Sequence, residues 1–270
     1  MHAGELEAFA PDAAVDCRAL TRSDAEAAVG ALPANLRLVV ISSVDVYRAF
    51  GALNDGRETD PVPLDEDSPV REQRYPLRGK APGMDDYDKL DVEDVYRAHG
   101  GPALRLPMVY GEHDYQLREE YILRRVRAGR LEIPFGAGTW LACRAYVRDV
   151  ARGVHLTLRS PSTAGLVLNL SEDRTYSIRM WSLMILEAAG SHASLVRVPD
   201  EVLPEDLQPT GTMAQHIPVS GHRARTLLGW TTSDPAETLN TTVRWHLAHP
   251  PTQAGSDFAA DDTALAASRR

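Results

Sequence analysis

The sequence predicts an α/β fold built on a parallel sheet, and three observations carry that expectation. Leu36-Arg37-Leu38-Val39-Val40-Ile41-Ser42 is a nearly continuous β-branched and aliphatic run, the pattern of a strand covered on both faces. Ala13-Ala14-Val15-Asp16-Cys17 is a shorter run of the same kind, and a helical pattern separates the two, giving strand, helix, strand. Ala103-Leu104-Arg105-Leu106 repeats the arrangement after a further helix.

In order along the chain, Ser23-Asp24-Ala25-Glu26 has capping-box spacing and opens a helix towards Leu32, which Pro33 and Asn35 end. Residues 51 to 83 are rich in Pro, Gly, Asp and Arg without periodicity and read as a long irregular loop. A helix is expected from Asp86, as N-cap, to His99, with Leu90 and Val95 facing inward. A second region begins near Tyr110. It holds helices over 119–128, 148–158, 178–189 and 239–247, and extended segments at 145–147, 166–170, 195–198 and 215–219. Gly190 closes the third of these helices. Residues 1–110 thus form one sheet-bearing region and 111–250 a second, smaller α/β region. Residues 251–270, with few large apolar side chains, are expected to be a disordered tail.

The chain of 270 residues is large enough for an ordinary core. Its 29 Lys and Arg against 38 Asp and Glu leave a net charge of −9, which repels phosphate backbones and anionic membranes, so no nucleic-acid partner is expected. The longest apolar runs fall far short of the roughly 20 residues of a membrane helix. The start, Met1-His2-Ala3-Gly4-Glu5, lacks the basic and apolar parts of a secretory signal, so the expected location is cytoplasmic. Cys17 and Cys143 stand in unrelated contexts, and each reads as a small buried residue; no metal site is expected.

Two segments place chemistry at the C-terminal edge of the sheet, where open α/β folds bind ligands. One is Val40-Ile41-Ser42-Ser43-Val44-Asp45-Val46-Tyr47, and the other is Leu104-Arg105-Leu106-Pro107-Met108-Val109-Tyr110-Gly111. Together with Tyr87-Asp88-Lys89, Arg144-Ala145-Tyr146-Val147-Arg148-Asp149 and Leu168-Asn169-Leu170, in that order, they resemble the NAD-dependent epimerase/dehydratase family, the extended short-chain dehydrogenases. The resemblance covers about residues 12 to 250 and implies an incomplete Rossmann-type sheet with a smaller C-terminal substrate-binding region. It also implies NAD or NADP as cofactor, and a sugar or nucleotide-sugar substrate oxidised transiently by hydride transfer.

By the same resemblance Ser43 would hydrogen-bond the reacting oxygen, Asp45 would be an accessory acid, and Lys89 would bind the nicotinamide ribose and lower the pKa of a catalytic tyrosine. Pro107, Val109 and Gly111 would shape the loop under the nicotinamide. Ser43 also suits a strand-end cap, Asp45 a turn carboxylate, and Lys89 a solvated helix lysine whose replacement by Met spares folding. The family's tyrosine, four residues before the lysine, is here Asp85. Tyr87, two residues before Lys89 and about 200° around an ideal helix, is the candidate in its place, and Tyr75 a second one.

The family's opening strand, glycine-rich turn and helix have no counterpart. Ala13–Cys17 resembles its fourth strand, so two βα units and a strand, roughly 65 residues, are missing, through a misplaced start or real loss. Gly136-Ala137-Gly138 is not a replacement, since no buried strand is expected to feed it. The acids Asp85, Asp86, Asp88, Asp91, Glu93 and Asp94 read as a solvated helix face. His113 reads as a surface histidine, and Trp140 and Trp230 as packing residues. The alternative to an enzyme is a non-catalytic binding or scaffold protein that retains the substrate half of the fold. The absent strands leave a bare sheet edge that invites pairing with a second copy, as a homodimer.

Overall fold

A computed structural model describes residues 8–252, 255 and 257–269. Four parallel strands form the main sheet in the order β1 (Ala13–Asp16), β2 (Arg37–Ser43), β3 (Ala103–Leu106), β7 (Val167–Asn169). Val15 lies opposite Val39, Ile41 opposite Leu104, and Leu104 opposite Leu168. The β-branched run of β2 has a direct cause here. Val40 packs with Val92, Val95 and Tyr96 of α3 (Lys89–Ala98), beside α1 (Arg22–Gly30). Its neighbour Val39, pointing the other way, packs with Val150 of α5 (Val147–Arg159) and Ala224 of α7 (His222–Leu228). Both faces of the sheet are therefore covered. Among the described residues β1 pairs with β2 alone, and its outer edge is open.

Beyond β3 the chain turns through Pro107 into β4 (Met108–Tyr110), which pairs in parallel with β6 (Arg144–Tyr146). A third parallel pair joins β5 (Glu132–Phe135) to β8 (Ser194–Arg197). Around these pairs stand α4 (Glu120–Arg127), α6 (Ile178–Ala188) and α8 (Pro235–Ala248), with Tyr110, Ile133, Phe135, Trp181 and Val243 in a core of their own.

Several expectations need correction. The first helix is capped by Thr21 with Asp24 at its third position, two residues earlier than Ser23 and Glu26. α3 starts at Lys89, with Asp88 as N-cap in place of Asp86; the Asp88 side chain accepts from Leu90 N–H at 3.0 Å, while Asp86 is exposed. α2 (Arg48–Asp55) begins before the expected loop and takes up its first five residues, seated by Ala49 against Val44 and Leu64 and closed by Gly56 at φ 62°. Gly51 within it weakened the helical signal. Cys17 is exposed at the end of β1, and Cys143 is buried.

The tail is not disordered over 259–268: α9 (Ala259–Ser268) lies against β5. Ala264 and Leu265 supply little apolar area, which is why composition hid the helix. What fixes it is Asp261, fully buried, accepting from Arg125 Nε and Nη2 at 2.7 Å each; Arg125 is itself fully buried and also reaches Asp206. Asp261→Ala takes one of two carboxylates from a buried guanidinium, leaving it Asp206, and is expected to cost about 3 kcal/mol of unfolding free energy in urea. An unchanged midpoint would mean that apolar contacts alone hold α9.

Candidate functional site

The C-terminal edge of the sheet is organised by buried carboxylates on α3. Glu93 receives Ser42 Oγ at 2.6 Å and both forks of Arg105, Nε at 2.9 Å and Nη2 at 2.8 Å, so β2, β3 and α3 meet at one charged group. The Arg105 guanidinium lies 4.8 Å from the Tyr47 ring centroid, and the Tyr47 hydroxyl donates to Asn169 Oδ1 at 2.8 Å. Burial pushes the Tyr47 phenol up to about 12. Asp88 accepts from Arg71 Nη2 and Arg74 Nε, both at 2.6 Å, and from Tyr75 N–H at 3.1 Å. Burial raises its pKa, but these donors prevail and hold it below the ordinary carboxylate value. Asp88, Asp91 and Glu93 are thus buried, and the expected solvated face is wrong for them. Arg105, an isolated cation in an apolar strand, was the sequence signal for a buried acid.

The structure brings three of the four expected catalytic residues into one hydrogen-bonded set. Ser43 ends β2, and its Oγ accepts from Asp45 N–H at 3.2 Å, capping a single 3₁₀ turn over Val44–Val46 that carries Asp45 inward. Asp45 Oδ2 accepts from the Tyr87 hydroxyl at 2.5 Å, and Asp45 Oδ1 is buried without a partner. Burial raises the Asp45 carboxyl above its ordinary value. Tyr87 reaches this set despite its two-residue spacing because the helix begins only after it. Asp85 is exposed and accepts from Gly79 N–H, away from the site, while Tyr75 lies under Arg78, 4.3 Å from the ring centroid.

Lys89 stands beside the set, with Nζ donating to Ala19 O at 2.6 Å and Ile41 O at 3.1 Å. It is 6% exposed, so the solvated lysine is excluded, and burial lowers its pKa. The lowering of a phenol by this lysine does not extend to Tyr87, whose pKa is raised by burial and then by the charge of Asp45. Pro107 and Gly111 are buried and Val109 half-buried, flanking the turn into β4 and its end. Gly111 sits at φ 143°, and a Cβ there would lie 2.5 Å from Val147 Cγ1. Gly136 and Gly138 also serve close packing, against Thr210 and Arg179. A buried strand, β5, does feed them, contrary to expectation. His113 is exposed beside Trp245, and Trp230 is buried with Nε1 donating to Asp149 O at 2.8 Å. Among the described residues no cluster of His, Cys, Asp and Glu could hold a metal ion.

Sequence reasoning missed a cavity of about 1100 Å³ between α4, α6 and residues 204–213, lined by Met108, Glu119, Tyr121, Trp140, Arg144 and Trp181. Arg144 is 6% exposed, packs its guanidinium 4.5 Å from the Trp181 ring centroid and donates Nη1 to Ala142 O at 2.8 Å. Among the described residues no carboxylate lies within 4.0 Å of it. Glu119 Oε2 and Trp140 Nε1 are buried without partners.

No family model matches this sequence, and no curated protein does. Among solved structures the chain is similar to a provisionally named epimerase from Burkholderia cenocepacia J2315, at 18% identity over 91% of this chain and 79% of that one, with TM-score 0.68. It is similar to RMD from Pseudomonas aeruginosa complexed with NADPH, at 15% identity over 91% and 83%, with TM-score 0.67. It is also similar to dTDP-glucose 4,6-dehydratase from Bacillus anthracis in complex with NAD, at 14% identity over 92% and 76%, with TM-score 0.66. These likenesses establish the fold, a Rossmann-type parallel α/β architecture. Among the described residues no helix is long and apolar enough to cross a membrane.

The burial of Lys89 changes what its replacement does. Lys89→Met leaves the carbonyls of Ala19 and Ile41 unsatisfied, at about 1–3 kcal/mol each. The variant is expected to unfold at clearly lower urea concentration than the wild type, and an unchanged midpoint would restore the exposed lysine.

Proposed function

We propose that this chain is an NAD(P)-dependent oxidoreductase of the epimerase/dehydratase kind, acting on a sugar of the nucleotide-sugar type by transient hydride transfer. The observation that carries the reading is Asp45 Oδ1, a buried carboxylate oxygen without a partner at the C-terminal edge of a parallel sheet, flanked by Tyr87 and Ser43. Leaving such a group unsatisfied costs folding free energy, and a substrate hydroxyl is the kind of donor it lacks.

The residues present fit the nicotinamide end of a dinucleotide. Ser43, Lys89 and the Pro107, Val109 and Gly111 segment surround the sheet edge, and Lys89, with two of its three N–H groups on carbonyls, keeps one for a ribose hydroxyl. The described residues include no glycine-rich turn for a pyrophosphate. When bound, the nicotinamide supplies a hydride acceptor and donor. Asp45 takes the substrate hydroxyl proton on Oδ1, and Tyr87, held protonated by burial and by Asp45, orients the carboxylate through Oδ2. Ser43 spends its lone pair on Asp45 N–H and keeps its own O–H for the reacting oxygen. In the neighbouring cavity Arg144, without a carboxylate partner, receives the anionic part of the substrate.

Calorimetric titration with NAD and NADP, followed by conversion of UDP-glucose to a new nucleotide sugar resolved by chromatography, tests the reading. Failure to bind either dinucleotide overturns it in favour of a non-catalytic binding or scaffold protein. In an active preparation Asp45→Asn keeps the Tyr87 bond but not the base, and turnover is expected to fall by about a hundredfold or more. Because the Asp45 pKa is raised, the rate should decline with acid at a pH above the ordinary carboxylate range, and Asn at position 45 should abolish that limb.

A further inference from the structure

The cavity between α4 and α6 holds a combination that apolar packing cannot explain: among the described residues, a buried Arg144 with no carboxylate within 4.0 Å, a buried Trp140 N–H without an acceptor, and a buried Glu119 oxygen without a donor. Arg144 and Trp140 offer N–H groups to an anion, whereas an ionised Glu119 in the same wall would repel it. We propose that Glu119 is a specificity residue that binds in its protonated form, donating its O–H to the anionic group held by Arg144, so that the cavity takes up one proton with its ligand. The inference rests on the preceding reading that the cavity receives the anionic part of a nucleotide sugar, and it adds the residue that selects the ligand's charge state.

The surroundings of Glu119 favour that role. Burial is the largest influence and pushes its carboxyl up to about 7; Asp114 adds to the shift, while Arg144, Arg118 and its own backbone N–H oppose it. Asp114 and Arg118 are bonded to each other at 2.8 Å, so Arg118 is not free to neutralise Glu119. Further along the wall Arg124 is bonded to Asp206 at 2.8 Å, and Glu120 to Arg127. On the two helices packed against α4, Trp181 of α6 lines the same cavity and Ser182 lies within hydrogen-bond distance of the Tyr121 hydroxyl at 2.8 Å, while on α8 Thr238 is engaged with the Tyr110 hydroxyl at 2.6 Å and His246 with Gly111 O at 3.0 Å. Glu172, after β7, is the other carboxyl raised to about 7 by burial, but it does not line the cavity. An incoming anion adds negative charge beside Glu119 and raises its proton affinity further, so ligand and proton bind cooperatively.

The probe is UDP-glucose, whose diphosphate diester has no group titrating near neutrality, measured by calorimetry in two buffers of different ionisation enthalpy. For the wild type, affinity is expected to be about tenfold higher at about pH 6 than at about pH 8, with proton uptake seen as a buffer-dependent enthalpy. Glu119→Gln keeps the shape and supplies a permanent N–H donor; its affinity should be equal at the two pH values and close to that of the wild type in acid. Equal wild-type affinities with binding intact overturn the inference alone. A pH dependence that survives in Glu119→Gln assigns the proton to another group such as Glu172 and also overturns it. Absence of UDP-glucose binding at both pH values removes the reading on which it stands, and the inference with it.

Discussion

The pairing of Arg105 with Glu93 is the interaction on which the sheet edge depends. Arg105 sits inside a parallel strand at 4% exposure, and a guanidinium there is tolerable only with a carboxylate in bidentate register; the Tyr47 ring lies against it, and Nη1 alone is left without a partner. Glu93 meets that need from α3, and the same carboxylate takes Ser42 Oγ from β2. One buried charge pair therefore fixes the helix against two strands. Everything carried by the N-terminal end of α3 inherits its position from this lock: Asp88, Lys89 and, just before them, Tyr87. The stacking of Arg105 on Tyr47 extends it to Asn169 on β7, so that β2, β3 and β7, three of the four strands, are tied through polar side chains.

A second level of order comes from how the edge disposes of its remaining charges. Asp88 is satisfied several times over and stays ionised, whereas Asp45, one oxygen bonded and one bare, is not. Two carboxylates near one helix start are thereby driven in opposite directions, one held low by two arginines and one raised by burial. Arg71 stands between them, bonded to Asp88 and within 3.4 Å of the Asp45 carbonyl. Such separation of proton affinities among neighbouring acids is what acid–base chemistry at neutral pH requires.

The sheet was legible because its physics is local. A strand with cover on both faces must be apolar at successive positions, and Val39 and Val40 carry that signature without any knowledge of what covers them. The polar interior was not legible in the same way. Asp88, Asp91 and Glu93 look like an ordinary solvated helix start, and only their partners on distant segments, Arg71, Arg74, Arg22 and Arg105, turn them inward. Ser43, Asp45 and Tyr87 could be named as candidates, but their mutual bonds depend on one 3₁₀ turn and on where α3 starts, and propensity fixes neither of these. The tail failed for a related reason: α9 is seated by one buried ion pair, and composition measures apolar content alone.

The two places where chemistry concentrates are joined by one covalent path. β3 delivers Arg105 to the lock, Pro107 redirects the chain, and β4 then pairs in parallel with β6, setting Met108 opposite Arg144 and Tyr110 opposite Tyr146. Pro107 has no N–H to offer, so the ladder of the main sheet stops there and a new one begins with a different neighbour. Met108 lines the cavity, four residues after the Leu104 that packs in the core of the main sheet. The distance from the Asp45 carboxylate to the Arg144 guanidinium is consequently set by backbone register rather than by flexible loops. On the proposed reading, a ligand that spans both would have to match that separation between its anionic and its reacting groups.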